Sequence, residues 1–374
     1  MDYEKILAAA ARIEDLVRGG LSKDMIKSCV KGFSDELFSI AKARMKNAKE
    51  RKIDPDFIFD EDDLRFCTNR HVADYRASRL KCGKIVDVGC GIGIQAIAFA
   101  KTCGRVIAID TDVHRLEYAK MNAAAAGVDN IDFVHADALD ALANVKKADI
   151  IFWDPERPEG ESERTLDSLK PSFKELFSAA QRITADMAVE LPPQMVRSKI
   201  GTDCELEYIS VDSRLNRLVA YFGKLKKCEL SVVALPSGER FEQSGAAAKS
   251  RSVREFSDYL YEVDAAVTKS GLLDSFVSSM KDAFIVFFGS KNYLTSKHLL
   301  TSAFLKPYKV AGILHVDEVK DFLVKNKFGR AVPHGSIDEK EYSWLRRKLE
   351  CGLKGDSSAH VFLAGDDAVV AVKI

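Results

Sequence analysis

The sequence predicts an α/β protein with a parallel, doubly wound sheet at its centre. Short apolar segments alternate with helical segments from about residue 83, a pattern that is typical of βαβ units. A glycine-rich turn joins the first of these segments to its helix. Residues 1–80 show only helical spacing, and residues 255–374 follow a different pattern. We therefore expect three domains, 1–80, 81–244 and 255–374.

The N-terminal domain is predicted to be helical. Apolar residues predict a first helix that ends at Gly19-Gly20, and a second that Ser22 caps and that continues to Ala41. A basic run, Lys42–Lys52, and an acidic run, 60–63, follow. Such runs are more often solvated faces than phosphate contacts.

The central domain alternates strands with helices. An Ala-rich helix over 113–126 ends at Gly127, and another helix lies around 96–101. A hairpin closes the series of parallel strands. The predicted strands are 84–88, 105–110, 131–134, 149–154, 187–191, 204–211, 218–222 and 228–234.

The C-terminal domain is predicted to be a small α+β unit, joined through the flexible segment Gly245–Lys249. Asp338 and Glu341 form a capping box for a helix that ends at Gly352, and another helix spans 317–327 and is ended by Gly329. The predicted strands are 284–288, 309–315, 360–364 and 368–374, the last two forming a terminal hairpin.

Composition narrows the class of protein. Lys+Arg and Asp+Glu both number 56, so the total charge does not suggest a strongly basic nucleic-acid-binding protein, although local basic clusters remain open. We see no membrane-spanning apolar run and no signal peptide, and we expect a cytoplasmic protein. The eight cysteines are scattered without metal-ligand spacing, which predicts buried free thiols and no metal site.

The strongest motif is the glycine-rich turn after the first strand. Gly89, Gly91 and Gly93 let the backbone turn sharply and approach a ligand closely. Asp110 ends the second strand, where a carboxylate can accept hydrogen bonds from both hydroxyls of a ribose, and Asp137 follows the third strand, where an adenine edge would lie.

Two cofactors compete for this turn. Gly91, Gly93 and Ala96 also satisfy the dinucleotide fingerprint G-x-G-x-x-A. Asp87, two residues before the first glycine, instead suits the amino-acid end of S-adenosylmethionine, and we favour that cofactor. The predicted cofactor-binding residues are Asp87, Gly89, Cys90, Gly91, Gly93, Asp110, Thr111, Asp137, Ala138 and Asp154.

The second motif follows the fourth strand. The predicted catalytic residues, Asp154-Pro155-Glu156-Arg157, resemble the (D/N/S)-P-P-(Y/F/W) motif of amino methyltransferases. In that motif the first side chain accepts a hydrogen bond from an exocyclic amine and thereby orients it, and the aromatic residue stacks on the base. Here Glu156 replaces the second proline and Arg157 the aromatic residue, so a solvent-exposed loop over 156–163 is the alternative.

A third group lies just before the first strand. Arg76 and Arg79 share a helix face, and with Tyr75 they are predicted to bind substrate. Surface salt bridges are the alternative interpretation for the two arginines.

The chain resembles the bacterial and archaeal class I S-adenosylmethionine-dependent methyltransferases that carry a C-terminal THUMP-like domain, and its core is similar to trimethylguanosine synthases. The resemblance implies a Rossmann-like methyltransferase sheet and an RNA substrate. The segments that carry it are Val72–Arg79, Val86–Gly93, Asp154–Arg157, Tyr208–Asp212 and Tyr259–Val267, where Val263 replaces the usual proline of Y-L-Y-E-P-D-x-A-V.

We therefore expect an RNA methyltransferase that acts on an exocyclic nitrogen of a base. A protein or small-molecule methyltransferase, and a cofactor-binding module that docks RNA or a partner without catalysis, stay open as alternatives. Because neither terminal domain is basic overall, RNA binding would need local clusters. The candidates are Lys42–Lys52, Arg346-Arg347-Lys348, and Lys291 with Lys297 around Tyr293.

Overall fold

A computed structural model describes residues 2–155, 166, 172–195, 200, 203–243 and 249–374. The chain divides into two compact units. The first comprises Met1–Glu207 and Arg217–Glu229, and the second comprises Tyr208–Asn216 and Leu230–Ile374. The division into three domains remains a prediction.

Five helices precede the first strand. They are α1 (Tyr3–Arg18), α2 (Lys23–Cys29), α3 (Asp35–Glu50), α4 (Glu61–Phe66) and α5 (Arg70–Arg79). The prediction of one helix from Ser22 to Ala41 is wrong, because the chain turns between α2 and α3. Gly32 has a φ of +77°, and the Ser34 side chain accepts a hydrogen bond from the N–H of Leu37, which begins a new helix.

The sheet of the first unit has the predicted alternation of strands and helices. Its strands follow the order β3-β2-β1-β4-β5-β7-β6, and β1 to β5 are parallel. The strands are β1 (Lys84–Val88), β2 (Arg105–Asp110), β3 (Ile131–His135), β4 (Ile150–Trp153), β5 (Met187–Leu191), β6 (Glu205–Val211) and β7 (Arg214–Tyr221). The helices are α6 (Ile94–Ala100), α7 (Val113–Ala125), α8 (Ala138–Asn144) and α9 (Phe173–Gln181).

The order of these strands determines where a ligand can bind. β1 pairs with β2 on one side and with β4 on the other. The chain therefore reverses its direction across the sheet at β1 and β4, and ligands of such sheets bind beyond the carboxyl ends of the strands at this point. Four of the five β1 residues are buried, so the strand is a rigid support for the turn that follows it.

The second unit contains a mixed seven-stranded sheet of order β11-β12-β10-β13-β16-β15-β14, in which β14 and β15 are parallel. The unit also contains β8 (Leu230–Leu235) and β9 (Glu239–Glu242), which lie outside this sheet. The seven strands of the sheet are β10 (Tyr259–Val263), β11 (Phe284–Phe288), β12 (Lys291–Ser296), β13 (Leu305–His315), β14 (Phe328–His334), β15 (Ser357–Ala364) and β16 (Asp367–Lys373). The helices of the unit are α10 (Ala265–Ser270), α11 (Leu273–Ser279), α12 (Val319–Lys325) and α13 (Glu339–Glu350).

The predictions for this unit are confirmed in part. β15 and β16 form the expected terminal hairpin, and α13 begins at the Asp338 cap. The predicted helix 317–327 is shorter, since α12 ends at Lys325 and Lys327 adopts a φ of +56°. The glycine expected to end that helix, Gly329, instead lies within β14.

Two further observations concern cysteines and membrane segments. All eight cysteines are free thiols, and Cys29 and Cys351 are exposed, so the expected burial is wrong for these two. None of the helices in the described ranges has the length and apolar character needed to cross a membrane.

Candidate functional site

The glycine turn lies between β1 and α6. Gly89, Gly91 and Gly93 have φ values of +82°, +53° and +86°. A Cβ on Gly89 would lie 2.7 Å from the carbonyl oxygen of Asp154, and one on Gly93 would lie 3.1 Å from the Cβ of Ala119. A Cβ on Gly91 would meet nothing within 4 Å. The first and third glycines thus permit close packing, and the second faces open space where a ligand can approach.

Hydrogen bonds hold the turn against the carboxyl end of β2. The N–H groups of Gly89 and Cys90 donate to the carbonyl oxygen of Ile109, at 2.9 and 3.0 Å. The N–H of Gly91 donates to Oδ2 of Asp110 at 2.7 Å, and the N–H of Asp112 donates to Oδ1 at 2.9 Å. Each carboxylate oxygen of Asp110 retains a second lone pair, which can accept a hydroxyl hydrogen bond.

Asp87 is the most unusual residue of the site. Its side chain on β1 is fully buried, and neither carboxylate oxygen has a hydrogen-bond partner in the described part of the chain. Burial, followed by the charge of Asp154, raises the pKa of Asp87 to about 8, although Arg76 opposes the shift. A buried carboxylate without a partner is costly, so this group points to a ligand that donates hydrogen bonds or carries positive charge.

The remaining predicted cofactor residues follow β2 and β3. Thr111 is exposed, and its carbonyl oxygen lies 3.0 Å from Nε2 of His135. Asp137 is exposed and caps α8 through a hydrogen bond of 2.8 Å from the N–H of Leu139, and Ala138 is buried beneath it. The structure therefore gathers Asp87, the glycine turn and Asp110, with Asp137 at the same edge of the sheet.

Asp154 and Pro155 follow β4 and lie beside the glycine turn. The N–H of Asp154 donates to the carbonyl oxygen of Val88 at 3.1 Å. The Asp154 carboxylate interacts electrostatically with Asp87 and with Arg217, and Pro155 is buried. Glu156 and Arg157, the other two predicted catalytic residues, lie outside the described residues.

Arg76 extends from α5 into the interior of the first unit. Its guanidinium donates to Oε2 of Glu190 at 2.7 Å and to Oε1 of Gln95 at 2.8 Å, and it lies 4.4 Å from the centre of the Phe152 ring. Arg217 forms an ion pair of 2.5 Å with the other oxygen of Glu190. One buried carboxylate therefore joins two buried or nearly buried arginines.

Tyr75 and Arg79 belong to a separate network. Arg79 forms ion pairs with Glu205, at 2.8 Å, and with Glu207, and its guanidinium lies 3.6 Å from the centre of the Tyr221 ring. Tyr75 donates a hydrogen bond of 2.9 Å to Glu207. The two arginines predicted to share one binding face thus contact different partners inside the unit. Their predicted role in substrate binding remains a prediction.

Glu190 and Arg217 are not among the site residues predicted from the sequence. A signal exists in retrospect, because Glu190 is the single charged residue of the strand Met187–Leu191, whose members are all buried. A buried acid in an apolar strand requires a cation. Sequence alone could not identify that cation, since Arg76 lies 114 positions away. Among the described residues, no group of three or more acidic, histidine or cysteine side chains could hold a metal ion.

Comparison with known proteins agrees with this architecture. A family model described as a methyltransferase domain matches residues 85–167, which include the glycine turn and the strands that flank it. The match favours the methyltransferase cofactor over the dinucleotide for this segment, because the family model that matches residues 85–167 is a methyltransferase domain.

Several curated proteins are similar to parts of the chain. An uncharacterized S-adenosylmethionine-dependent methyltransferase of Mycobacterium tuberculosis is 25% identical over 225 residues, which cover 59% of this chain and 61% of the relative. An uncharacterized RNA methyltransferase of Gloeobacter violaceus is 36% identical over 73 residues, 20% of this chain and 16% of the relative. A 23S rRNA (uracil(1939)-C(5))-methyltransferase of Shewanella halifaxensis is 34% identical over 92 residues, 24% of this chain and 21% of the relative. The chain thus spans less than two thirds of each of these relatives.

One solved structure is similar over the whole chain. A protein of Porphyromonas gingivalis W83, solved as a candidate methyltransferase, superposes with a TM-score of 0.70 at 14% sequence identity, covering 100% of this chain and 98% of that one. At this identity the likeness shows the fold alone, and it confirms the predicted mixed α/β fold.

Proposed function

We propose that this protein is an S-adenosylmethionine-dependent methyltransferase that acts on RNA, with an exocyclic nitrogen of a base as the acceptor. The observation that carries the proposal is the buried Asp87 carboxylate, which lacks a partner among the described residues. The ammonium group of S-adenosylmethionine offers three donors and a positive charge, and it complements this carboxylate. The pyrophosphate of a dinucleotide is an anion without hydrogen-bond donors, so it offers the Asp87 carboxylate neither a positive charge nor a donor.

The other residues of the site fit the remaining parts of this cofactor. Gly91 leaves room for close approach of the chain to the ligand, and the two oxygens of Asp110 can accept hydrogen bonds from the ribose hydroxyls. Asp137 can accept a hydrogen bond from the adenine amino group, beside Thr111 and Ala138. The bound cofactor supplies an electrophilic methyl group on a sulfonium.

Asp154 is the proposed catalytic residue. Its carboxylate accepts a hydrogen bond from the exocyclic amine of the base, so that the nitrogen lone pair points at the methyl carbon. When the methyl group passes from the sulfonium to the nitrogen, the carbon–sulfur bond would break to leave S-adenosylhomocysteine, and Asp154 would accept the proton that the nitrogen releases. Pro155 follows Asp154 and fixes the backbone there. Glu156 and Arg157 complete the proposed motif on the basis of sequence.

RNA is the proposed substrate for two reasons. The relatives from Gloeobacter violaceus and Shewanella halifaxensis are named as RNA and rRNA methyltransferases, and the sequence resembles methyltransferases with a THUMP-like domain. The second of those names gives uracil C5 as its acceptor, whereas the Asp154-Pro155 pair favours an amine. We propose that residues 255–374 form the THUMP-like domain and that the methyltransferase core is of the trimethylguanosine-synthase type. We also propose the cytoplasm as the compartment, and the eight free thiols support this location.

A labelling experiment tests the proposal. The protein is incubated with methyl-labelled S-adenosylmethionine and total RNA from a strain that lacks it, and the RNA is digested to nucleosides. We expect the label in a nucleoside methylated on an exocyclic nitrogen. Asp154→Ala should abolish transfer while S-adenosylhomocysteine still binds in calorimetry, and Asp129→Ala, at an exposed aspartate, should leave both unchanged.

Each other outcome contradicts a stated part of the proposal. Label on a ring carbon contradicts the exocyclic nitrogen, and label in a nuclease-resistant acceptor indicates a protein or small-molecule methyltransferase. Cofactor binding without transfer to any acceptor indicates a docking module. Tighter binding of NAD than of S-adenosylhomocysteine would overturn the cofactor itself.

A further inference from the structure

The structure distinguishes among the three basic clusters that the sequence offered for RNA. In the run Lys42–Lys52, internal contacts already engage four basic side chains. Lys42 pairs with Glu61, Arg44 with Glu14 and Lys46 with Glu50, and the Lys52 ammonium donates to the carbonyl oxygens of Leu64 and Arg65. Lys49 and Arg51 remain exposed, but residues 42–52 contain no aromatic ring on which a base could stack.

The ring at the centre of the second cluster, Tyr293, is not available for stacking. Lys291 and Lys297 are exposed, but Tyr293 itself is 3% exposed and packs in the core of the second unit. A ring in the core cannot stack on a base of an RNA strand.

The third cluster, on α13, has both charge and an exposed ring. The chain has two tryptophans: Trp153 is 1% exposed and Trp344 is 59% exposed. The Lys348 ammonium lies 5.2 Å from the centre of the Trp344 ring, one helical turn further along α13. The exposed indole is a large flat ring with a cation beside it, and such a pair can stack on a base and contact a phosphate.

The two sides of α13 differ in character. Leu345 and Leu349 pack against the core of the second unit, whereas Trp344, Arg347 and Lys348 lie on the opposite, exposed side. Within the residues that the structure describes, neither Arg347 nor Lys348 forms an ion pair with a carboxylate.

Two acids of α13, Glu341 and Glu350, lie near this face, and neither cancels its charge, because the exposed Lys340 adjoins Glu341. Glu350 accepts a hydrogen bond from the N–H of Ala331 at 3.2 Å and pairs with Arg346 at 3.1 Å. Arg330 on β14 also interacts electrostatically with it. The outer side of α13 therefore keeps a local excess of positive charge in a chain whose total charge is zero.

We propose that the outer face of α13, formed by Trp344, Arg347 and Lys348, binds single-stranded RNA. A base stacks on the indole ring, and the two basic side chains contact the phosphates on either side of it. An aromatic ring flanked by unpaired positive charges complements a polyanion that carries flat bases, and it complements an apolar protein segment poorly. This inference rests on the proposed RNA substrate and names the surface that holds it.

RNA binding by the full-length protein tests the inference. The probe is a fluorescein-labelled 20-nucleotide single-stranded RNA of mixed sequence, and its dissociation constant is measured by anisotropy over a range of KCl concentrations. We expect Trp344→Ala to weaken binding about 10-fold. We expect Trp344→Phe, which keeps an aromatic ring, to restore most of the loss. The double variant R347Q/K348Q should lower the slope of log Kd against log [KCl] by roughly 1.4.

Matched variants and a spectroscopic signal control for indirect effects. Phe287→Ala removes another exposed ring of the second unit, 70% exposed, and K291Q/K297Q removes the same charge elsewhere in that unit. Both should bind RNA like the wild type. Because Trp153 is buried, a change in tryptophan emission on RNA binding should come from Trp344. RNA should quench this emission and shield the Trp344 ring from acrylamide, and Trp344→Phe should lose both effects.

Several results would overturn the inference. They are wild-type affinity in Trp344→Ala, equal losses in the matched variants, or a Trp344 emission that RNA leaves unchanged. A dimer that Trp344→Ala converts to a monomer in sedimentation would show that the face binds a second copy instead. Failure of the wild type to bind S-adenosylhomocysteine or transfer methyl groups, with RNA binding and its Trp344 dependence intact, would contradict the proposed function and leave this surface standing.

Discussion

The guanidinium of Arg76 donates a hydrogen bond of 2.7 Å to Glu190, and the two side chains are 0% and 1% exposed. Arg217 pairs with the second oxygen of the same carboxylate. Glu190 thus lies between two cations that also act on the charges of Asp87 and Asp154. This arrangement links α5, β5 and β7 beneath the proposed catalytic residue.

Removal of the shared carboxylate should destabilise the first unit. Glu190→Ala leaves two guanidinium groups without their counter-charge in the interior, and we expect the free energy of unfolding to fall by about 3–5 kcal/mol. Urea denaturation measures the change. Arg105→Ala is the control, because Arg105 and Asp132 form an exposed pair whose loss should cost less than about 1 kcal/mol. Equal effects of the two variants would contradict a stabilising role for the buried network.

Substitutions in the glycine turn should separate an effect on ligand affinity from an effect on the stability of the fold. Gly91→Ala places a methyl group in open space at a φ of +53°, so it should cost about 1–2 kcal/mol of stability. If the cofactor approaches the chain at this point, the affinity for S-adenosylhomocysteine should fall at least about 10-fold in calorimetry.

Gly89→Ala is the matched variant for Gly91→Ala. Its methyl group would lie 2.7 Å from the carbonyl oxygen of Asp154, so the backbone there must shift and methyl transfer should fall along with stability. Unchanged affinity for S-adenosylhomocysteine in Gly91→Ala would show that the ligand does not approach the second glycine.

The sequence predicted the first unit well because its signals are local. The parallel strands are continuous apolar segments, and each alternates with a helix, which is enough to predict a doubly wound sheet. The break between α2 and α3 was missed because the apolar spacing continues through it, and only the Gly32 conformation and the Ser34 cap interrupt the helix.

The second unit was predicted less completely. Strand β12, Lys291–Ser296, has four polar residues among six, and it pairs with β10 on one side and with the apolar strand β11 on the other. A mixed pattern of this kind does not indicate a strand by itself, and its pairing with β10 joins it to a more distant part of the chain that a local pattern does not reveal. The same reason hid the Arg76–Glu190 pair, which joins residues 114 positions apart.

Asp87 should give the ligand-free protein a distinctive pH dependence. The folded pKa of about 8 exceeds the value of about 3.9 expected in the unfolded chain, so the folded state binds a proton more tightly. Stability from this group is fully present below about pH 4 and is lost as the pH rises towards 8. Urea denaturation at several pH values should show this fall in the wild type, and Asp87→Asn should lack it.

Ligand binding should reverse the preference of the folded protein for the protonated form of Asp87. The ammonium group of S-adenosylhomocysteine favours the charged form of the Asp87 carboxylate, so binding at pH 7 should release a proton from Asp87. Calorimetry in buffers of different ionisation enthalpy measures the release, and Asp87→Asn should abolish it together with most of the affinity. Proton release that persists in Asp87→Asn would assign it to another group.

The second unit should lose stability in mild acid through His360. Nε2 of His334 lies 2.8 Å from Nδ1 of His360, and Nδ1 of His334 faces Glu262 at 3.4 Å. Burial, then the charges of His334 and Lys373, lowers the pKa of His360 below its ordinary value. The unfolded chain therefore binds the proton first, so this stability is present above about pH 6.5 and is lost as the pH falls through the folded pKa.

Hydrogen exchange of the β15 amides, corrected for intrinsic rates, checks this prediction. Protection should fall between pH 7 and 5 in the wild type and fall less in His360→Gln, whereas His315→Gln, at an exposed histidine, should behave like the wild type. Glu262 does not account for the change. Burial raises its pKa, but hydrogen bonds from His334 and Tyr308 outweigh burial and hold the pKa at about 2, so its carboxylate stays charged throughout this range. Identical protection in His360→Gln and the wild type would show that the histidine pair does not control the acid stability of this sheet.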